Sequence, residues 1–168
     1  MKRSMAAGLI LAIAFPAISY ALTRNRDVDH GARWTPRLAQ GENVRLEGKV
    51  DNHSTVTLNH GGRVEITGKI DNDSTVTVNN CGNVTFGDKI DNKSNVRIDV
   101  RLKRGKVLIH GKIAGGSKLS AECDEFKCED IMDNPQTVVE LRCKTYSGPR
   151  HVNGTLIVNG RIVARPHQ

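Results

Sequence analysis

The chain has 168 residues, a formal net charge of +7, and only 38% hydrophobic and 4% aromatic residues. That length supplies one domain. The composition excludes a polytopic membrane protein and a core built on large rings, and 16 Gly with 5 Pro excludes collagen-like and low-complexity chains.

Residues 1–21 read as a secretory signal peptide. Lys2 and Arg3 give a basic start, Met5 to Ile18 is almost wholly apolar, and Ser19-Tyr20-Ala21 puts small residues at the −3 and −1 positions of a cleavage site. The competing reading is an uncleaved anchor. Its apolar run, Ala6 to Leu22, is interrupted by Gly8 and Pro16 and sits at the lower limit for spanning a bilayer. After cleavage 23 Lys+Arg face 18 Asp+Glu, and no later stretch forms an integral membrane segment. The expected location is secreted, periplasmic or at the cell surface. Residues 22–40 are polar and aperiodic, with Trp34 and Pro36. They read as a flexible lead-in or an N-terminal cap, Trp34 covering an otherwise open sheet edge.

An internal repeat follows. GKVDNHSTVTLNHGGRVEIT (48–67) and GKIDNDSTVTVNNCGNVTFG (68–87) are identical at 11 of 20 positions, and DKIDNKSNVRI (88–98) begins a third copy. The next echo, Gly111-Lys112-Ile113, arrives later after Asp88 than the repeat spacing allows, which implies a three-residue insertion. Five columns are apolar in every copy: Val44/Val64/Val84, Leu46/Ile66/Phe86, Val50/Ile70/Ile90, Val56/Val76/Val96 and Leu58/Val78/Ile98. Polar residues alternate with them, the period of half-buried strands. Each copy reads as three short strands with bends at Gly and Asp-Asn. One turn buries about five apolar side chains, roughly 7–15 kcal/mol. Ordering its backbone costs about 20–40 kcal/mol. A single turn therefore cannot stand alone, and stacking must close the core. The expected fold is all-β, a single-stranded parallel β-helix (β-solenoid) with turns of about twenty residues, occupying 41–165 in about six turns.

Asn52, Asn72 and Asn92 fall at the bend of successive copies. Asn tolerates left-handed backbone angles, and stacked amides form a hydrogen-bonded ladder. The same residues create N-glycosylation sequons. Because the sequon recurs at every bend, turn chemistry repeated by duplication is the better reading. The recurring G-K-[VI]-D-N-x-S-x-V-x-[LIV] pattern over residues 41–113 resembles short-repeat parallel β-helix proteins, in the style of the bactofilin-type solenoids. That resemblance implies a parallel solenoid that polymerises, and it carries over no functional residue.

Residues 114–136 break the pattern. Six acidic residues between Glu122 and Asp133 crowd around Cys123 and Cys128, so an irregular insertion, a short helix or a pinned loop is expected. Strand-like runs resume at Val138–Leu141 and Thr155–Val158, with Asn-Gly turns at Asn153 and Asn159. Cys81, Cys123, Cys128 and Cys143 are an even set, which favours disulfides in an exported chain. Cys123 and Cys143 are one repeat apart, so an interturn bridge competes with a local Cys123–Cys128 clip.

No catalytic motif is present. Asp51, Asp71 and Asp91 form a carboxylate column beside Lys49, Lys69 and Lys89. A small carbohydrate-active enzyme would need two such carboxylates, but a solvated face of paired charges explains them as well. The histidines are scattered, and neither a metal nor a cofactor is expected. The basic run Arg97, Arg101, Lys103, Arg104 and Lys106 is the candidate polyanion site, with Arg97, Asp99, Arg101 and Lys103 sharing the outward face of one strand. No aromatics interleave to stack bases, so nucleic acid is not the expected partner. The leading expectation is a non-catalytic, exported solenoid with a scaffolding role that self-associates end to end, the basic 97–106 meeting the acidic 122–133 of a second copy. The alternative is a module that binds an acidic polysaccharide or the cell envelope.

Overall fold

The computed structural model describes residues 20–129, 134–149 and 152–165. The signal-peptide reading lies outside them except for Tyr20 and Ala21, as do Asp130 and Asp133 of the acidic segment. Among the described residues there are thirteen strands and no α-helix, and no helix is long and apolar enough to cross a membrane.

The chain winds as stacked coils. The first contains β1 (Leu22–Arg24) and β2 (Arg33–Trp34), the second β3 (Val44–Leu46) and β4 (Thr55–Asn59). The third contains β5 (Val64–Ile66) and β6 (Thr75–Asn79), the fourth β7 (Val84–Phe86) and β8 (Asn95–Asp99). Then come β9 (Lys106–Ile109), β10 (Lys118–Cys128), β11 (Val138–Ser147), β12 (Thr155–Val158) and β13 (Arg161–Ala164). One face stacks β2, β4, β6, β8, β10, β11 and β12 as seven parallel rungs. A second face stacks β1, β3, β5, β7, β9 and the latter part of β10. The third is a line of single-residue bridges, Val28–Val50–Ile70–Ile90–Ile113. The expected third strand of each copy is therefore reduced to one apolar residue, because Gly and Asp-Asn flank it too closely for a longer ladder.

The β-solenoid is as the repeat predicts. Registered residues are 20 apart from Thr55 to Thr75 and from Thr75 to Asn95. All five predicted apolar columns are buried inside the coil, with Phe86 and Phe126 the largest fully buried side chains. Each Asp-Asn bend turns the chain with two successive left-handed residues, such as Asn52 (φ 49°) and His53 (φ 61°), closed by Ser54 N–H donating to the Asp51 carbonyl at 3.2 Å. Gly115 and Gly116 take the same two positions after Ile113, with φ 60° and 76°. Between rungs the backbone approaches closely: a Cβ on Gly68 would lie 2.3 Å from the Gly48 carbonyl oxygen.

Three expectations need correction. Residues 22–40 are not a lead-in but belong to the first coil: β1 pairs β3, β2 pairs β4, and Val28 joins the bridge line. Their alternation escapes notice because this coil is slightly longer than the repeat and its strands are very short. Second, residues 114–136 are not irregular over their length, since Lys118–Cys128 is an 11-residue strand with Leu119, Ala121, Cys123, Phe126 and Cys128 buried. It turns the corner from one face to the next without a break, and that corner shifts the alternation. Third, the strand through Arg97 ends at Asp99. The three extra residues form a 3₁₀ turn, Arg101–Lys103, that bulges at the corner with Leu102 83% exposed.

Candidate functional site

The corner that follows the seven-rung face carries most of the charge chemistry. Its outward column reads Asn59, Asn79, Asp99, Glu122, Arg142 in register. At the first two rungs the amides stack, Asn79 Nδ2 donating to Asn59 Oδ1 at 3.1 Å. The next two rungs place like charges one above the other, Asp99 and Glu122. Arg101 resolves that conflict from the 3₁₀ turn, reaching Asp99 at 3.1 Å and Glu122 at 2.5 Å. The hydrogen bond from Arg101 holds the Asp99 carboxyl below its ordinary range, and Asp99 in turn raises Arg101. Arg142 approaches Glu122 from the following rung at 3.7 Å.

The pairing continues along the neighbouring positions. Lys106 meets Glu125 at 2.6 Å, and that contact raises the Lys106 ammonium. Lys144 meets Asp124 at 2.7 Å. His110 lies 3.0 Å from Glu129, and that hydrogen bond, with one from Lys127, lowers the Glu129 carboxyl. The basic 97–106 and the described part of the acidic segment are thus consecutive coils of one molecule, facing each other across one rung. Arg101 and Lys106 of the basic run are thereby answered laterally within the molecule.

Of the five candidate polyanion residues, Arg101 and Lys106 are paired in this seam. Among the described residues, Arg97, Lys103 and Arg104 have no acidic side chain within ion-pair distance. They also leave the expected single face: Arg97 projects from β8, while Arg101 and Lys103 sit in the 3₁₀ turn and Arg104 follows it with a left-handed φ of 50°. Arg142 and Lys144 join the same corner from β11. Sequence reading missed them because they lie two coils further along the chain than the run, and only the register brings them in.

The carboxylate column is occupied by turn chemistry. Asp51 Oδ1 accepts from Asn52 N–H at 2.8 Å and from Asn72 Nδ2 at 2.7 Å, and Asp91 Oδ1 accepts from Asn92 N–H at 2.9 Å. Asp71 is buried and ion-paired with Lys69, whose ammonium also lies 3.9 Å from Asp91. Burial works against the charge on Lys69, but its bond to Asp71 and the surrounding carboxylates together raise it. Asn52, Asn72 and Asn92 stack, the Nδ2 of Asn72 and of Asn92 each donating to the preceding Oδ1 at 3.4 Å. The Ser of each sequon, Ser54, Ser74 and Ser94, is fully buried. Among the described residues no group of three or more His, Cys, Asp and Glu is placed to hold a metal ion.

All four cysteines are buried, and none is joined in a disulfide. A Cys123–Cys128 clip is excluded by geometry: both lie in one strand, and the straight run from Glu125 to Cys128 alone spans about 10 Å, beyond disulfide reach.

No family model, curated protein or solved structure matches this chain. Its functional reading rests on the corner seam, the bends and the two ends of the stack.

Proposed function

We propose that the chain is an exported, non-catalytic β-solenoid with a structural role, and that it self-associates through its C-terminal end. The observation that carries this is β13. It folds back antiparallel on β12 through Asn159-Gly160 and, among the described strands, pairs with β12 alone. Its Ile162 and Val163 are 48% and 46% exposed, unlike the apolar columns of the central rungs. An unpaired edge bearing apolar side chains is a template for a second chain. The other end is blunted: β1 and β2 are very short, and the Arg24 guanidinium lies 5.4 Å from the Trp34 ring centroid. The partner is accordingly a second copy meeting β13 with its own β13. Export is supported by the 1–21 pattern, and a cut after Ala21 leaves β1 whole at the new terminus.

Analytical ultracentrifugation of residues 22–168, with negative-stain electron microscopy, tests this. Concentration-dependent assembly is expected, insensitive to salt because the contact is apolar rather than ionic. The Ile162→Lys, Val163→Lys double variant should remain monomeric. Monomers of the parent chain at every concentration and salt would sink the reading. The second reading, a module for acidic polysaccharide, is favoured by the three cations without an acidic partner among the described residues, Arg97, Lys103 and Arg104. It predicts salt-sensitive retention on an acidic glycan column, lost when all three become Ala.

A further inference from the structure

The corner where β10 passes between faces carries two thiols that the charge seam does not use. Cys123 and Cys143 stand directly opposite each other in the parallel pairing of β10 with β11. Both are buried, at 3% and 7% exposure. Registered residues on neighbouring rungs lie about 4.8 Å apart, inside the roughly 4.4–6.8 Å Cα window of disulfides. At that spacing their Cβ atoms start about 1 Å farther apart than the roughly 3.8 Å of an ideal bridge. The β10–β11 pairing omits only Asp124 and Lys144 and resumes in the same register at Glu125 and Thr145, so closing that gap takes a small movement of the two rungs toward each other.

Cys143 is also held from its other side. Its N–H donates to Asn159 Oδ1 at 3.0 Å, and its carbonyl accepts from Asn159 Nδ2 at 2.8 Å. The two remaining thiols stand against other residue types: Cys128 registers with Ile109, and Cys81 lies beside Gly61 in an earlier coil. A shallow cleft of about 390 Å³ opens on both Cys123 and Cys143 and is lined by Arg101, Arg104, Arg142, Lys144 and Asp124; Asp124 holds Lys144, and Glu122 answers Arg101 and Arg142. Burial, reinforced by the neighbouring Cys143, pushes the Cys123 thiol up to about 12, and burial raises Cys143 as well. Such thiols react slowly, and Arg104, the lining cation without an acidic partner among the described residues, is placed to meet an anionic oxidant.

We propose that Cys123 and Cys143 are an oxidation site that closes as an interturn disulfide by exchange with a small anionic disulfide of the glutathione class. The thiolate of Cys143, the more exposed of the two residues, attacks one sulfur of the oxidant, and one glutathione leaves as thiolate. The Cys123 thiolate then attacks Cys143 Sγ, and the second glutathione leaves. The protein gives up two protons and two electrons, and the oxidant becomes two thiols. The site is independent of the self-association reading and of export, since the reaction is set by register and access alone.

The test equilibrates the reduced protein, residues 22–168, with oxidised and reduced glutathione, then alkylates remaining thiols in denaturant and digests with trypsin. Cleavage after Lys118, Lys127, Arg142 and Lys144 separates Cys123, Cys128 and Cys143 onto different peptides. The chain should lose about 2 Da, with Cys123 linked to Cys143 and with Cys81 and Cys128 alkylated. The Cys81→Ser, Cys128→Ser double variant should show the same loss. The oxidised form should melt roughly 5 °C higher. Four alkylated cysteines, a link involving Cys81 or Cys128, or stable glutathione adducts without ring closure would each overturn the proposal.

Discussion

Buried acids of high pKa make single residues sensors of alkali in this molecule. Cys123 moves from 9.0 to about 12 and Tyr146 from 10.0 to about 12, both chiefly through burial. Both groups are neutral when protonated, so the fold holds protons that the unfolded chain releases. Their contribution is fully present below the unfolded values and declines as pH rises through the window from about 9 to about 12. Under reducing conditions, the urea midpoint should begin to fall near pH 9, with a loss of about 1 kcal/mol per pH unit from Cys123 before Tyr146 joins. In Cys123→Ala the decline should be shallower from pH 9 upward, what remains coming first from the buried thiols of Cys143 and Cys81, which are also raised from 9.0, and then from Tyr146. Urea titrations at pH 8, 9.5 and 10.5 measure this, and identical profiles for the two proteins would refute the assignment to Cys123.

At the scale of elements, one side chain extends the attachment of the C-terminal hairpin beyond its ladder with β11. β12 stops pairing with β11 at Val158, opposite Leu141, and Asn159 then supplies both a donor and an acceptor to Cys143 where the next ladder residue would stand. The Asn159→Ala variant should lose about 1–2 kcal/mol, and amide exchange should quicken in β12 and β13 while β4 and β6 stay protected. Uniform quickening of all rungs would contradict a local fastening.

The sequence marks the turn at Asn159-Gly160 but not the antiparallel strand that follows it, whereas the central coils are legible through their alternating valines, because local chemistry there repeats without interruption. The first coil and β10 are less legible. Arg33-Trp34 is too short to show a period, and the acidic residues of β10 hide an alternation that is visible only once the corner is known. The site behaves similarly. Arg97 to Lys106 stands out as a basic run, but the pairing of Arg101 with Glu122 and of Lys106 with Glu125 depends on a register set by the three-residue insertion. Arg142 and Lys144 reach the seam by the same non-local route.

Across the whole molecule, stability is a chain of nearest-neighbour terms, since each coil rests on the coils beside it. The sum is weighted toward the apolar columns, which run without a polar interruption from Val44 to Val84 and from Val56 to Val96. The exposed pairs of the corner add little individually. Most of the corner's charges are answered within the molecule, while Ile162 and Val163 of β13 are exposed apolar side chains on its last described strand.

The 3₁₀ turn at Arg101–Lys103 also has a bearing on how the chain finds its own order. Coils 48–67 and 68–87 are near-duplicates, so a folding chain that slips by one repeat forfeits little. The three added residues, and the Arg101 contact to Glu122 that they make possible, act as an index mark that only one alignment satisfies. Deleting Arg101–Lys103 should leave a solenoid with the same circular dichroism but with added slow refolding phases and a fraction of swapped dimers, where the parent refolds in one phase. The least regular stretch of the stack would then be what keeps its most regular stretch in place.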